Sequence, residues 1–106
     1  MNHYFPNMFK PIQIGTVTVP NRFVVPPMGN NFANPDGSMS DRSAAYYEAR
    51  AKGGFGLITL ESTVVYKEAK GGPRKPCLFD DAVIPSFKAA DNRADILCKL
   101  AERKVM

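Results

Sequence analysis

Histidine, cysteine and long apolar runs are the scarce features of this sequence, and each scarcity closes a line of explanation. His3 is the only histidine, and Cys77 and Cys98 are the only cysteines. A zinc site needs about four ligands, usually clustered. Neither cysteine belongs to a C-x-x-C pair, so no metal centre is expected. Two isolated thiols read as reduced cysteines of a cytosolic protein rather than as a disulfide. No apolar stretch approaches the roughly 18 residues of a membrane span, so no membrane association is expected. The opening "MNHYFPNMFKPIQIG" has no basic segment followed by an apolar core; a secretory signal is not expected, and the expected location is cytoplasmic. The formal charge is +4 with histidine neutral. The basic residues nevertheless stand singly or in pairs, as in Arg74-Lys75 and Arg103-Lys104, interleaved with acids. They form no dense stripe, and nucleic acid is not an expected partner. Repeats and low-complexity tracts are absent as well.

What is present is ordinary globular composition, 44% hydrophobic and 23% charged over 106 residues, enough for one small domain. "IQIGTVTV", Ile12 to Val19, alternates around Gly15-Thr16 as a short β-hairpin does, and Pro20-Asn21 ends it. Phe23, Val24 and Val25 are apolar without alternation, as expected of a strand buried on both faces in a parallel sheet. "SDRSAAYYEARAKGG" predicts a helix over 41–52: Ser40 or Asp41 caps it, Lys52 suits its C-terminal dipole, and Gly53 supplies a left-handed exit. "FGLITLES", Phe55 to Ser62, is a second apolar strand. Strand, helix and strand make a right-handed βαβ unit with parallel strands at 23–26 and 55–61. A long loop through "KGGPRKP" leads to Pro85. "AADNRADILCKLAERKVM" then fits another amphipathic helix, with Ile96, Leu97, Leu100 and Val105 as its apolar face. Two parallel strands leave both edges and much of both faces open, so the pattern is the start of an α/β fold and not a complete one.

One connection is out of proportion. From Pro26 to Ser40 the chain reads "PPMGNNFANPDGSMS", where a simple βα turn needs about two to six residues. In α/β proteins chemistry gathers at the carboxyl ends of the strands. This loop occupies one such end, and Glu61-Ser62-Thr63 occupies the next. Pro27, Met28, Gly29 and Ser62 are therefore expected on one face. Taken singly, each has a plainer explanation. Met28 is ordinary core material, Ser62 a strand terminator and Asp36-Gly37 a turn. Tyr46-Tyr47 reads as a packing pair, Glu61 as a structural hydrogen-bonding or ion-pairing group, and Arg22 as packing at the strand's start.

The order and spacing of Phe9-Lys10-Pro11-Ile12, Asn21-Arg22, Pro27-Met28-Gly29, Asn31-Phe32-Ala33, Pro35-Asp36-Gly37-Ser38, Tyr46 to Gly54 and Glu61-Ser62-Thr63 resemble the N-terminal end of the old yellow enzyme family. Within that family the resemblance is to the enoate reductase and 2,4-dienoyl-CoA reductase branch of NADH:flavin oxidoreductases. It runs from about residue 8 to about residue 87; residues 88–106 read as a divergent tail. It implies a (β/α)8 TIM barrel whose bottom the hairpin closes, with FMN across the carboxyl ends of the strands. Residues 1–106 would then be the N-terminal part of a single FMN-binding domain, an incomplete barrel, since a whole one needs about 250 residues. Pro27, Met28 and Gly29 are implied as the first flavin-contacting segment, and Ser62 as a residue beside the flavin's polar edge. Where some relatives carry Thr or Cys in place of Gly29 to tune the flavin, Asn30 is the substitute here.

The implied reaction passes hydride from NAD(P)H through FMN to an activated C=C bond of a small enoate, enoyl-CoA or enone. The implied catalytic histidines lie on later strands, so no catalytic residue is assigned. The cysteine cluster of an iron–sulfur centre, present in larger members, is absent. A third strand carrying Gln is expected after Phe87, and a polar helical tail stands there instead. The alternative is a non-catalytic truncated remnant, or a small standalone α/β piece without activity.

Overall fold

The computed structural model of the chain describes residues 4–100 and 104–105, with side chains over residues 4–93. The chain opens with an antiparallel hairpin, β1 (Ile12–Ile14) and β2 (Val17–Val19), in a register that sets Ile12 opposite Val19. Gly15 turns the hairpin at φ 60°, a conformation that glycine adopts without a Cβ penalty.

Asn21 and Arg22 link this hairpin to the sheet. Arg22 Nε donates to Lys10 O at 3.1 Å, which ties the segment before β1 to the start of β3 (Val24–Val25). Asn21 Oδ1 accepts the Phe23 N–H at 3.0 Å, and its Nδ2 donates to Gly54 O at 2.9 Å. Gly56 packs against the same residue, where an added Cβ would lie 2.6 Å from Asn21 Oδ1. The Asn-Arg pair therefore sets how the first parallel strand meets the turn that delivers the second.

After β3 come α1 (Asp41–Lys52), β4 (Leu57–Ile58), α2 (Ile84–Leu100) and β5 (Lys104–Val105). The three strands are parallel in the order β3-β4-β5, with Val24 beside Leu57 and Leu57 beside Lys104. Ser40 caps α1: its Oγ accepts the Ser43 N–H at 3.0 Å. Ser43, Tyr47 and Ala51 recur at i, i+4 and i+8, which lays one face of α1 on the sheet, and all are buried. Val25, Ile58, Met39, Ala44, Tyr47, Ala51 and Ala90 form the core. Burying a Val or Ile side chain there contributes about 1.5–3 kcal/mol. Arg93 on α2 grips Glu48 on α1, with Nη2 to Oε2 at 2.6 Å, and so fastens the two helices together.

The hairpin, the parallel βαβ unit and the helix bounds at 41–52 match the sequence reading; five details differ. Gly53 stays right-handed at φ −67° as the C-cap, and the left-handed residue is Gly54 at φ 100°, so the chain reverses one residue later than expected. The ladder is shorter than 23–26 and 55–61, since Pro26 and Pro27 follow Val25 and cannot donate. The central strand β4 is buried along its length, whereas Val24 on the edge strand β3 is 47% exposed. The second helix starts at Ile84, so Pro85 lies in its first turn, where a missing N–H breaks no helical bond. The expected polar tail instead reaches a third strand, β5, and Val105 belongs to it rather than to a helix face. Ile96, Leu97 and Leu100 fall outside the described side chains. No helix among the described residues is long and apolar enough to cross a membrane.

Candidate functional site

The carboxyl ends of β3 and β4 each release a long loop, and three ties hold these loops together. The first is a buried carboxylate. Glu61, 4% exposed, follows β4, and its Oε2 accepts the Asn30 N–H of the other loop at 3.1 Å. Tyr47, reaching up from α1, accepts the Glu61 N–H at 2.9 Å and donates a long bond to Glu61 Oε1 at 3.5 Å. The second tie is backbone: Cys77 N–H donates to Gly37 O at 2.9 Å, beside the bridge between Val64 and Cys77. Gly37 sits at φ 89°, and an added Cβ would lie 2.5 Å from Cys77 Cβ, so only glycine admits the contact. The third is Lys70 Nζ, which donates to Pro35 O at 2.6 Å.

Pro27, Met28 and Gly29 lie at the start of the first loop, all exposed, with Met28 at 54%. Met28 opens into a groove of about 270 Å³ along the edge of β3, with Val24, Tyr46, Arg50 and Phe55. Ser62 is exposed at the end of β4 and lines a separate cleft of about 300 Å³ with Thr63, Val64 and Lys75. The two groups thus share the carboxyl-end face without opening into one cavity. Glu61 joins them, next to Ser62 in sequence and 4.0 Å from where a Cβ of Gly29 would stand.

Glu61 is the hydrogen-bonding group its position suggested, but its partner across the loops was not legible. Tyr46 and Tyr47 do pack edge to face at 5.1 Å between centroids, as a pair on a helix would. Tyr47 carries a polar role as well. Burial pushes its phenol up to about 12, with the neighbouring Glu61 charge adding to the rise and the Glu61 N–H opposing it. Asp36 accepts from Ser38 Oγ at 2.6 Å and from Ser38 N–H at 2.9 Å, and those two bonds hold its carboxyl below the ordinary carboxylate value. Cys77 is a free, buried thiol. Among the described residues no cluster of three His, Cys, Asp or Glu side chains could hold a metal.

Residues 7–93 match the sequence model of the NADH:flavin oxidoreductase / NADH oxidase family. The chain belongs to this family. Its members are FMN-dependent NAD(P)H oxidoreductases. The NADH oxidase of Thermoanaerobacter brockii is 46% identical over 85 residues, which are 79% of this chain and 13% of that protein. The cinnamate reductase of Clostridium sporogenes is 39% identical over 80 residues, 73% of this chain and 12% of that one. Among solved structures, a 2-naphthoyl-CoA reductase complex superposes with a TM-score of 0.85 at 29% identity, covering 88% of this chain and 14% of that one. The old yellow enzyme homologue from Zymomonas mobilis gives 0.82 at 27% identity, covering 95% and 27%. The chain therefore spans about an eighth of the two curated relatives. Its β3-α1-β4-α2-β5 run, preceded by the hairpin, is an incomplete portion of the family's (β/α)8 barrel.

Proposed function

We propose that residues 1–106 belong to a single FMN-binding barrel domain of a cytoplasmic ene-reductase, in which Pro27, Met28, Gly29 and Ser62 face the cofactor. Bound FMN would accept hydride from NAD(P)H and deliver it to the activated C=C bond of a small enoate, enoyl-CoA or enone, with a proton completing the reduction.

The observation that carries this reading is the open backbone after β3. Pro26 and Pro27 have no N–H, and among the described residues the N–H groups of Met28 and Gly29 have no protein partner. A Cβ at Gly29 would meet nothing closer than Glu61 Oε2 at 4.0 Å. Unpaired backbone donors and carbonyls suit the amide-like edge of a flavin, and a half-exposed thioether suits its flat ring. Glu61 holds the loop in place by accepting the Asn30 N–H, and Tyr47 holds Glu61. Neither is assigned contact with substrate; both are positioning residues. The similarity to a cinnamate reductase and a 2-naphthoyl-CoA reductase supports an unsaturated acid or thioester as substrate.

The test uses the complete protein, expressed and desalted. The expected result is stoichiometric bound FMN and NAD(P)H oxidation that depends on added cinnamate, cinnamoyl-CoA or cyclohexenone. Protein that stays flavin-free and does not quench the fluorescence of added FMN would favour a non-catalytic remnant.

A further inference from the structure

A second cleft on the same face, of about 530 Å³, is lined by Asn30, Asn31, Phe32, Ser40, Arg42 and Arg74. Two guanidinium groups border it, and among the described residues neither has a carboxylate partner. The chain's other described arginines are engaged: Arg93 with Glu48, Arg22 with Lys10 O and Arg50 with Tyr46 O. Nor do the nearby acids neutralise the cleft. Asp41 is drawn to Arg93 at 3.7 Å, Asp36 is turned to Ser38, and Glu61 is turned to the Asn30 N–H.

Arg42 is nevertheless held in place. Its guanidinium carbon stands 4.0 Å from the centroid of the Phe32 ring. Stacking fixes the plane of an arginine while leaving the N–H groups at its edge free to bind. Asn30 borders the cleft as well, and its Nδ2 is buried without a partner. Two guanidiniums without a carboxylate partner among the described residues border one cleft, and planar guanidiniums match phosphate oxygens in pairs.

We propose that this cleft binds a phosphate or pyrophosphate group carried by a molecule that reaches the flavin face, with Arg42 and Arg74 as its ligands. The proposal rests on the reading of the β3 loop as flavin-facing. Two molecules in the proposed reaction could carry such a group: the nicotinamide dinucleotide and a nucleotide-bearing acyl thioester.

Inorganic pyrophosphate is the probe. Calorimetric titration of the complete protein should give one saturable site, and Arg42→Gln and Arg74→Gln should each weaken it about fivefold or more. Both side chains are exposed, and neither makes a hydrogen bond or ion pair among the described residues, so these variants should fold; Arg42→Lys, which keeps the charge but not the fork, should fall between. Steady-state kinetics then identifies the carrier. A rise in KM for NAD(P)H points to the reductant, and a rise for cinnamoyl-CoA points to the thioester. The proposal is overturned if wild-type protein shows no saturable pyrophosphate binding, if the Gln variants bind as well as wild type, or if neither KM moves. Flavin content on the same samples separates failure of this site from failure of the flavin reading.

Discussion

Glu61 is the residue whose replacement asks most of the structure. Its carboxylate is nearly inaccessible to solvent, and it joins the loop after β3 to the end of β4 by one bond, Asn30 N–H to Oε2 at 3.1 Å. Glu61→Leu keeps most of the volume and removes the acceptor. A hydrogen bond to a charged group contributes about 1.5–3 kcal/mol, and an unsatisfied buried donor costs about 1–3. Some of that loss is offset because a buried charge is also removed. The expected net effect is about 2 kcal/mol of destabilisation, concentrated in the Pro27–Asn30 segment. Glu61→Gln retains an oxygen for the Asn30 N–H and should cost less than about 1 kcal/mol. Urea unfolding of the complete protein measures the global loss, and the rate of flavin release after dilution measures the local one. If Leu and Gln behave alike, or if Leu costs less than about 0.5 kcal/mol, Glu61 does not hold the loop.

Three further outcomes are expected. Tyr47 titrates in the folded state at about 12 against an ordinary 10.0, so its contribution is fully present below the ordinary value and is lost as pH rises through the folded one; alkaline unfolding followed by circular dichroism should lose this step in Tyr47→Phe, and an unchanged profile would contradict the burial argument. Gly37→Ala combines φ 89° with a 2.5 Å approach to Cys77 Cβ and should cost about 1–3 kcal/mol; removing the clash with a second change, Cys77→Gly, should recover part of it, and no recovery would mean that the backbone angle alone decides. The isolated 106-residue chain exposes Phe9, Ile14, Val24 and Met28 and an unpaired edge of β3, so it should bind a hydrophobic dye and melt without a sharp transition; a cooperative melt with dispersed amide resonances would contradict this.

Local signals carried the sequence reading far. Alternation around Gly15-Thr16 placed the hairpin, the Ser40 or Asp41 cap and Lys52 in the last turn placed α1, and two apolar runs placed the parallel pair. What failed depends on contacts distant in the chain. Phe23-Val24-Val25 reads as buried on both faces because its composition suits a closed barrel, yet Val24 is open where no further strand covers it. β5 is two residues long, too short for any period to show. Pro85 reads as a break because proline is disfavoured inside helices, although the first turn tolerates it. In the site, Pro27, Met28, Gly29 and Ser62 could be nominated from motif order. The pairing of Glu61 with Asn30 and the seating of Gly37 on Cys77 join separate loops, Arg42 on α1 and Arg74 on a distant loop border one cleft, and no local pattern encodes any of these.

Gly29 offers the most direct measurement. Its φ is not in the left-handed region, and an added Cβ meets only Glu61 Oε2 at 4.0 Å, an ordinary contact. The protein fold itself therefore gives little reason to reject a side chain there; a bound flavin would. Flavin per protein, read by absorbance after desalting the complete protein, should be stoichiometric in wild type and in Asp36→Ala, on the outer turn, and should fall severalfold in Gly29→Val at unchanged circular dichroism. Full flavin and unchanged turnover in Gly29→Val would mean that the segment after β3 does not line the cofactor.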